Sequence, residues 1–201
     1  MEGRVEALIV TVSTVTISAS TLPSKYVSRT GHIHVESHST YLDVIADNYQ
    51  VYCEINPSTG VVTIKGLTKS FEFKLGAIDR AFNSDRFNLS EFAKFNFDGQ
   101  VTNLSSINFD KPGSYPIQVD GNLIIGSYIR KTSARGNLVV KNDGSLRTDT
   151  FFKIRIEEES VQTINQLMKE KLPSMVALDA DKLGVSRDIQ LQLNASFRPR
   201  G

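Results

Sequence analysis

Past residue 25 the chain alternates apolar and polar positions with a period of two, the signature of strands that bury one face. Ile33 and Val35 share one phase, with His32, His34 and Glu36 on the other. Tyr49, Val51, Cys53 and Ile55 then alternate with Gln50, Tyr52, Glu54 and Asn56. Pro57-Ser58-Thr59-Gly60 reads as a turn, and Val61 to Ile64 begins the return strand. Phe71, Phe73 and Leu75 keep one phase, as do Phe95 and Phe97. Ile117, Val119, Leu123 and Ile125 hold another through Gly121. Leu138 and Val140 lead into Lys141-Asn142-Asp143-Gly144, a strong hairpin signal. Phe152, Ile154 and Ile156 alternate with Lys153 and Arg155, and a last run extends from Ile189 to Phe197.

Two segments break this rhythm. Residues 76–93 read as a connection with short helical turns. Val161, Ile164, Leu167 and Met168 fall at helical spacing, with Ser160 as N-cap and Pro173 beyond the end, which predicts a helix over 161–171. Eight or so antiparallel strands must bury one face and deal with their edges, and closure into a barrel does both. The expected fold is all-β, a closed eight-stranded barrel; a sandwich satisfies the same local pattern. An eight-stranded barrel has room inside for side chains or for one elongated small ligand.

Length and charge narrow the picture. At 201 residues, with no linker-like composition shift, residues 21–201 read as one domain. Residues 1–20 have the order of a secretory signal: Arg4 precedes an apolar stretch, and Ser18-Ala19-Ser20 follows. A Val/Ile/Thr-rich strand is the other reading of that segment. Export, to the periplasm or beyond, is therefore expected. The formal net charge of +1, from 23 Lys+Arg against 22 Asp+Glu, argues against a general nucleic-acid binder.

Candidate chemistry is sparse. Cys53 is the single cysteine and sits in apolar phase, so it reads as a small buried hydrophobe. His32, His34 and His38 make the one metal-like cluster. Because Ile33 and Val35 own the apolar phase, the histidines are read as solvent-facing polar residues, not metal ligands. No Gly-x-Ser-x-Gly elbow or Gly-rich phosphate loop is present. Glu157-Glu158-Glu159 reads as a solvated run before the helix. No catalytic residue is assigned and no cofactor is expected.

The order of several motifs resembles the YceI-like family of lipocalin-like barrels. Tyr26-Val27-Ser28-Arg29-Thr30-Gly31-His32-Ile33 is similar to that family's first strand. Ser70-Phe71-Glu72-Phe73, Ala81-Phe82-Asn83-Ser84 and Glu91-Phe92-Ala93-Lys94-Phe95-Asn96-Phe97-Asp98-Gly99 resemble its middle region. Asp120-Gly121-Asn122-Leu123-Ile124-Ile125-Gly126 looks like a later strand, and Lys171-Leu172-Pro173-Ser174-Met175-Val176 like the turn before the last one. The likeness covers residues 26–197. The chain departs from the family at Ala81, where relatives usually carry histidine, and at Ala93, where they carry proline.

The resemblance implies a bacterial envelope protein that binds, without catalysis, an elongated apolar lipid of the polyisoprenoid or isoprenoid quinone type. Candidate lining residues are Ile33, Val35, Val51, Phe71, Phe73, Phe82, Phe95, Phe97, Leu123, Ile125, Phe152 and Ile154. Arg130, Lys131 and Arg135, flanking Tyr128 in an expected loop, are candidates for an anionic headgroup or for transient contact with a membrane surface. Monomer and homodimer both remain open. The competing readings are a filled barrel acting through its outer surface in stress or adhesion, and an isomerase or His-metal enzyme.

Overall fold

The computed structural model describes residues 22–38, 43–82, 92–155 and 187–200. The strands among them are β1 (Lys25–His38), β2 (Asp43–Ile55), β3 (Val61–Leu67), β4 (Glu72–Phe73), β5 (Lys94–Val101), β6 (Gly113–Ile125), β7 (Tyr128–Val140), β8 (Leu146–Arg155) and β9 (Asp188–Arg200); one helix, α1, spans Gly76–Phe82. Every pairing is antiparallel, in the order β1-β9-β8-β7-β6-β5-β3-β2, and β1 also pairs with β2. That last pairing closes an eight-stranded ring and leaves no open edge along it. A sandwich is thereby excluded.

Local chemistry sets the turns. Asn56 Oδ1 accepts from the Ser58 and Thr59 amides at 2.9 and 3.0 Å, and Gly60 takes a φ of 75° that a side chain would resist. At the β7–β8 hairpin, Asp143 Oδ1 accepts from the Ser145 amide at 2.9 Å. β6 and β7 are joined by Gly126 and Ser127 alone, so Tyr128 to Lys131 belong to a strand and not to the expected loop.

Two expectations need correction. The strand expected over Phe71, Phe73 and Leu75 shrinks to the two-residue β4, which pairs with β2 through Ala46↔Phe73 and lies outside the ring. Its helical connection begins with α1, and residues 83–91 fall outside the described residues. Tyr49 does not share the phase of Val51, Cys53 and Ile55; it is exposed. The β1–β2 register shifts between Ser28 and Gly31 and again between Gly31 and Ile33, so each strand carries a bulge. Asn48 fixes the one in β2: fully buried, it donates through Nδ2 to the Leu67 carbonyl at 3.0 Å and accepts at Oδ1 from the Gln50 amide at 2.9 Å. The leader over 1–20, the Glu157–Glu159 run and the helix over 161–171 lie outside the described residues.

The core sits inside the ring. Val51, Cys53, Ile64, Phe97, Val101, Val119, Leu138, Leu146 and Phe197 are all nearly inaccessible. One end, carrying the β2–β3, β5–β6 and β7–β8 connections, is plugged by the segment between β5 and β6. Ile107 and Phe109 are buried there, with the Phe109 ring stacked on Tyr26 at 6.0 Å between centroids. The opposite end carries the β1–β2, β3–β5, β6–β7 and β8–β9 connections and is called the mouth below.

Candidate functional site: the barrel lumen and its mouth

Alternation places one set of side chains inside the ring. On β5 these are Phe95, Phe97, Gly99 and Val101; across from them on β6 lie Ile125, Leu123, Gly121 and Val119. β7 continues the layer with Tyr128, Arg130, Thr132 and Ala134. Glycines make dents in this wall, and aromatic rings lie over them. A Cβ on Gly66 would meet the Phe95 ring at 2.3 Å, and one on Gly99 the Phe97 ring at 2.5 Å; a Cβ on Gly121 would meet the same Phe97 ring at 2.7 Å. The rings therefore lie along the wall instead of crossing the lumen, the way an aromatic covers a strand glycine. Phe97 meets Phe152 edge-on at 5.3 Å, and Phe71 tilts against Phe95 at 5.8 Å.

The expected lining residues separate by depth. Ile33, Val51, Phe95, Phe97 and Phe152 belong to one buried cluster, and Val35, Phe71, Leu123 and Ile125 pack against it half-buried near the mouth. Ile154 is buried as well, whereas Phe73, on β4, is half-buried and outside that cluster. Phe82 ends α1, and its side chain is not among those described. A cavity of about 30 Å³ remains within the ring, lined among others by Ile64, Phe97, Val119, Leu138, Phe152 and Phe197. That is far below the volume of about 300 Å³ or more that a small-molecule site takes. Cys53 lies deep in this layer; burial pushes its thiol pKa up to about 12, so no thiolate nucleophile forms at neutral pH.

The expected basic cluster divides. Arg130 is on the inward phase at the mouth, where its Nε donates to the Tyr128 hydroxyl at 3.1 Å. Its guanidinium carbon is 5.7 Å from the centre of that ring. Lys131 and Arg135 face outward and are exposed. Strand phase decides this split, and a loop reading could not have found it.

On the outer face of β1 and β2, the histidines point away from the lumen as expected, but carboxylates hold them. His32 Nε2 and His34 Nδ1 each lie 2.7 Å from the same oxygen, Asp47 Oδ1. His34 Nε2 donates to Glu36 Oε1 at 2.9 Å. His38 lies 3.0 Å from Asp43 and 3.4 Å from Glu36. The His34 pKa is raised, first by the hydrogen bond with Glu36 and then by that with Asp47. For Asp47, burial pulls upward, but the hydrogen bonds from His34 and His32 outweigh it and hold the carboxyl below its ordinary value. The His32 ring stacks on Tyr49 at 4.4 Å and 8° between planes. Asp47, Asn48, Ile107 and Phe109 were not singled out from the sequence, and Tyr49 was read only as part of the apolar phase. An apolar pair inside the polar 102–112 connection was the signal available for the plug.

Among solved structures, the chain is similar to a polyisoprenoid binding domain from Saccharophagus degradans implicated in plant cell wall breakdown. The match has 9% identity, covers 88% of this chain and 99% of that chain, and has a TM-score of 0.65. A mutant YceI protein holding a monobromobimane guest aligns over 95% of this chain and 91% of that chain, at 11% identity and a TM-score of 0.41. No family model matches the chain, and no curated protein matches it. The first likeness is one of fold: the two chains share a closed antiparallel β-barrel, the architecture that the ordered motifs lead one to expect.

Proposed function

We propose that the chain is an exported, non-catalytic carrier of one elongated apolar lipid, of the polyisoprenoid or isoprenoid quinone type, held inside the barrel with its head at the mouth. The observation that carries this reading is the continuous apolar wall running from Phe97 and Phe152 out to Leu123, Ile125 and Val35. The shared barrel fold supports it. Burial supplies the affinity: each methylene contributes about 0.8 kcal/mol and an isoprene unit therefore roughly 3 kcal/mol gross. A few buried units offset an association cost of about 4–15 kcal/mol and reach micromolar binding.

A ligand site of this kind takes about 300 Å³ or more, so the chain must open around its guest. The half-buried residues at the mouth are the ones free to give way, since Ile107 and Phe109 are buried across the other end. Arg130 is the headgroup contact in this reading. The exposed Lys131, Arg135 and Lys153, beside Ile129 and Phe151, form the face that would touch an anionic membrane during loading. The small cavity favours one rival, a filled barrel working through its outer surface. Native mass spectrometry of the purified chain separates the two. A discrete lipid mass that solvent extraction removes, and a polyprenol restores one-to-one, supports the carrier; an extracted chain that takes up no polyprenol or quinone up to millimolar supports the filled barrel.

A further inference from the structure

We infer that His32, His34 and Asp47 form a binding site for a divalent transition cation of the zinc class on the outer wall of the barrel, independent of anything the lumen holds. The sequence pattern builds it from two strands. His32 and His34 are two apart on β1 and so project from one face, and His34 is directly opposite Asp47 on β2. Their three ligand atoms, two imidazole nitrogens and one carboxylate oxygen, all lie within 4.8 Å of one another. Both nitrogens point at the same Asp47 oxygen at 2.7 Å, so the three donors converge on one point.

The donor set suits zinc, copper, nickel or cobalt, whose sites mix imidazole with carboxylate. Around a tetrahedral zinc at ~2.05 Å, neighbouring ligand atoms stand about 3.3 Å apart. The nitrogens must therefore move about 0.6 Å from the oxygen to admit the ion, a shift within reach of side chains on an outer face. Three protein donors leave a fourth position for water or an exogenous ligand.

The surroundings match what such a site requires. Glu36 accepts from His34 Nε2 and so presents Nδ1 as the free donor, the carboxylate–histidine arrangement found behind metal ligands. The β2 bulge turns Tyr49 outward, and its ring fixes the plane of His32. On the other side of β1, His32 and His34 are registered with the neutral Asn194 and Gln192, while Asp47, Glu36 and Asp43 supply negative charge. The side chains of His32, His34 and Asp47 are 29%, 22% and 16% exposed, so an ion can reach them and yet be partly shielded from water.

The test uses the chain without a polyhistidine tag, stripped with a chelator and titrated with Zn²⁺ by calorimetry and with Co²⁺ by visible absorption. One saturable ion per chain is expected, with Co²⁺ bands of four- or five-coordinate intensity. His34→Ala and Asp47→Ala each weaken Zn²⁺ binding by more than about 100-fold, and Glu36→Gln, one layer further out, by about 10–100-fold. His32→Phe keeps the stack on Tyr49 and so the local fold, yet loses at least about tenfold in affinity. His38→Ala changes affinity by less than about twofold, because that ring bonds Asp43 and reaches Glu36 only at Oε2, the oxygen His34 does not use. Absence of saturable binding up to millimolar Zn²⁺ overturns the site. So does one-to-one binding that survives His34→Ala and His32→Phe, or that His38→Ala abolishes.

Discussion

At the plugged end of the barrel Ile107 and Phe109 fold in beneath Tyr26, and Leu138, Val140 and Leu146 are inaccessible around them. At the mouth the same strands end in Val35, Leu123, Ile125 and Leu191, all half-buried, with Arg130 and Tyr128 facing inward among them. The pattern of alternation is the same at both ends, and what differs is the cover. Among the described residues, one end has its own chain as a lid, and the other presents apolar wall whose burial is incomplete. A closed ring can therefore keep its stability in one half and its adaptability in the other.

The largest effects are expected from truncation at the plugged end. Phe109→Ala should cost about 3–5 kcal/mol and Leu146→Ala about 2–5 kcal/mol in urea unfolding, because a close-packed site cannot collapse over the lost volume. Leu123→Ala at the mouth should cost under about 2 kcal/mol, since less of that side chain leaves water on folding. Equal losses at the two ends would erase the distinction.

Filling the mouth comes next. Leu123→Trp should lower polyprenol affinity at least about tenfold, or ~1.4 kcal/mol, while stability stays within about 1 kcal/mol of the parent chain. A lipid titration followed by native mass spectrometry reads the affinity. Loss of fold together with binding would instead mark the mouth as ordinary core.

Charge at the mouth should matter less. Arg130→Gln is expected to weaken a polyprenyl phosphate by about tenfold relative to the uncharged polyprenol, because a charge-assisted contact is lost. Lys131→Gln, one residue on but facing outward, should leave that ratio unchanged. Equal behaviour of the two variants would return both to ordinary surface charge.

The smallest effect probes the outer wall. In chelated protein the His34 pKa is raised from its ordinary 6.5, so its stabilising contribution is complete below about pH 6.5 and fades as pH rises through the folded value. Glu36 is lowered from 4.5, chiefly by the hydrogen bond from His34, and Asp47 from 3.8. Those two contributions are complete above the ordinary carboxylate range and fade as pH falls through the lowered values. Stability should therefore peak between the two ranges, by no more than about 1 kcal/mol at this partly exposed site. A melting profile of His34→Gln should be flatter across that window; an unchanged profile would show that the ladder contributes nothing.

Much of this was legible in the sequence wherever one strand faces one way without interruption. Ile117 to Ile125, Phe152 to Ile154 and Ile189 to Phe197 all take the phase their alternation predicts. Closure was not written locally, because the pairing of β1 with β9 joins residues far apart in the chain and leaves no periodic trace. Tyr49 misleads for a different reason. The Asn48 side chain bonds the Gln50 amide and inserts a bulge, and a one-residue change of phase moves the tyrosine to the outside. The same event hides Asp47 as the partner of the histidines. In β7 the apolar Ile129 faces out and the charged Arg130 faces in, so hydrophobicity alone gives the wrong face at the very position where the proposed site meets solvent.

The most direct test of the account is a crystal structure of the extracted chain soaked or co-crystallised with a polyprenol. The account predicts the lipid inside the ring, the cavity grown from about 30 Å³ to ~300 Å³ or more by movement of Phe71, Phe95 and their neighbours at the mouth, and Phe109 still stacked on Tyr26. A lipid lying against the outer surface, over an interior that has not moved, would contradict it.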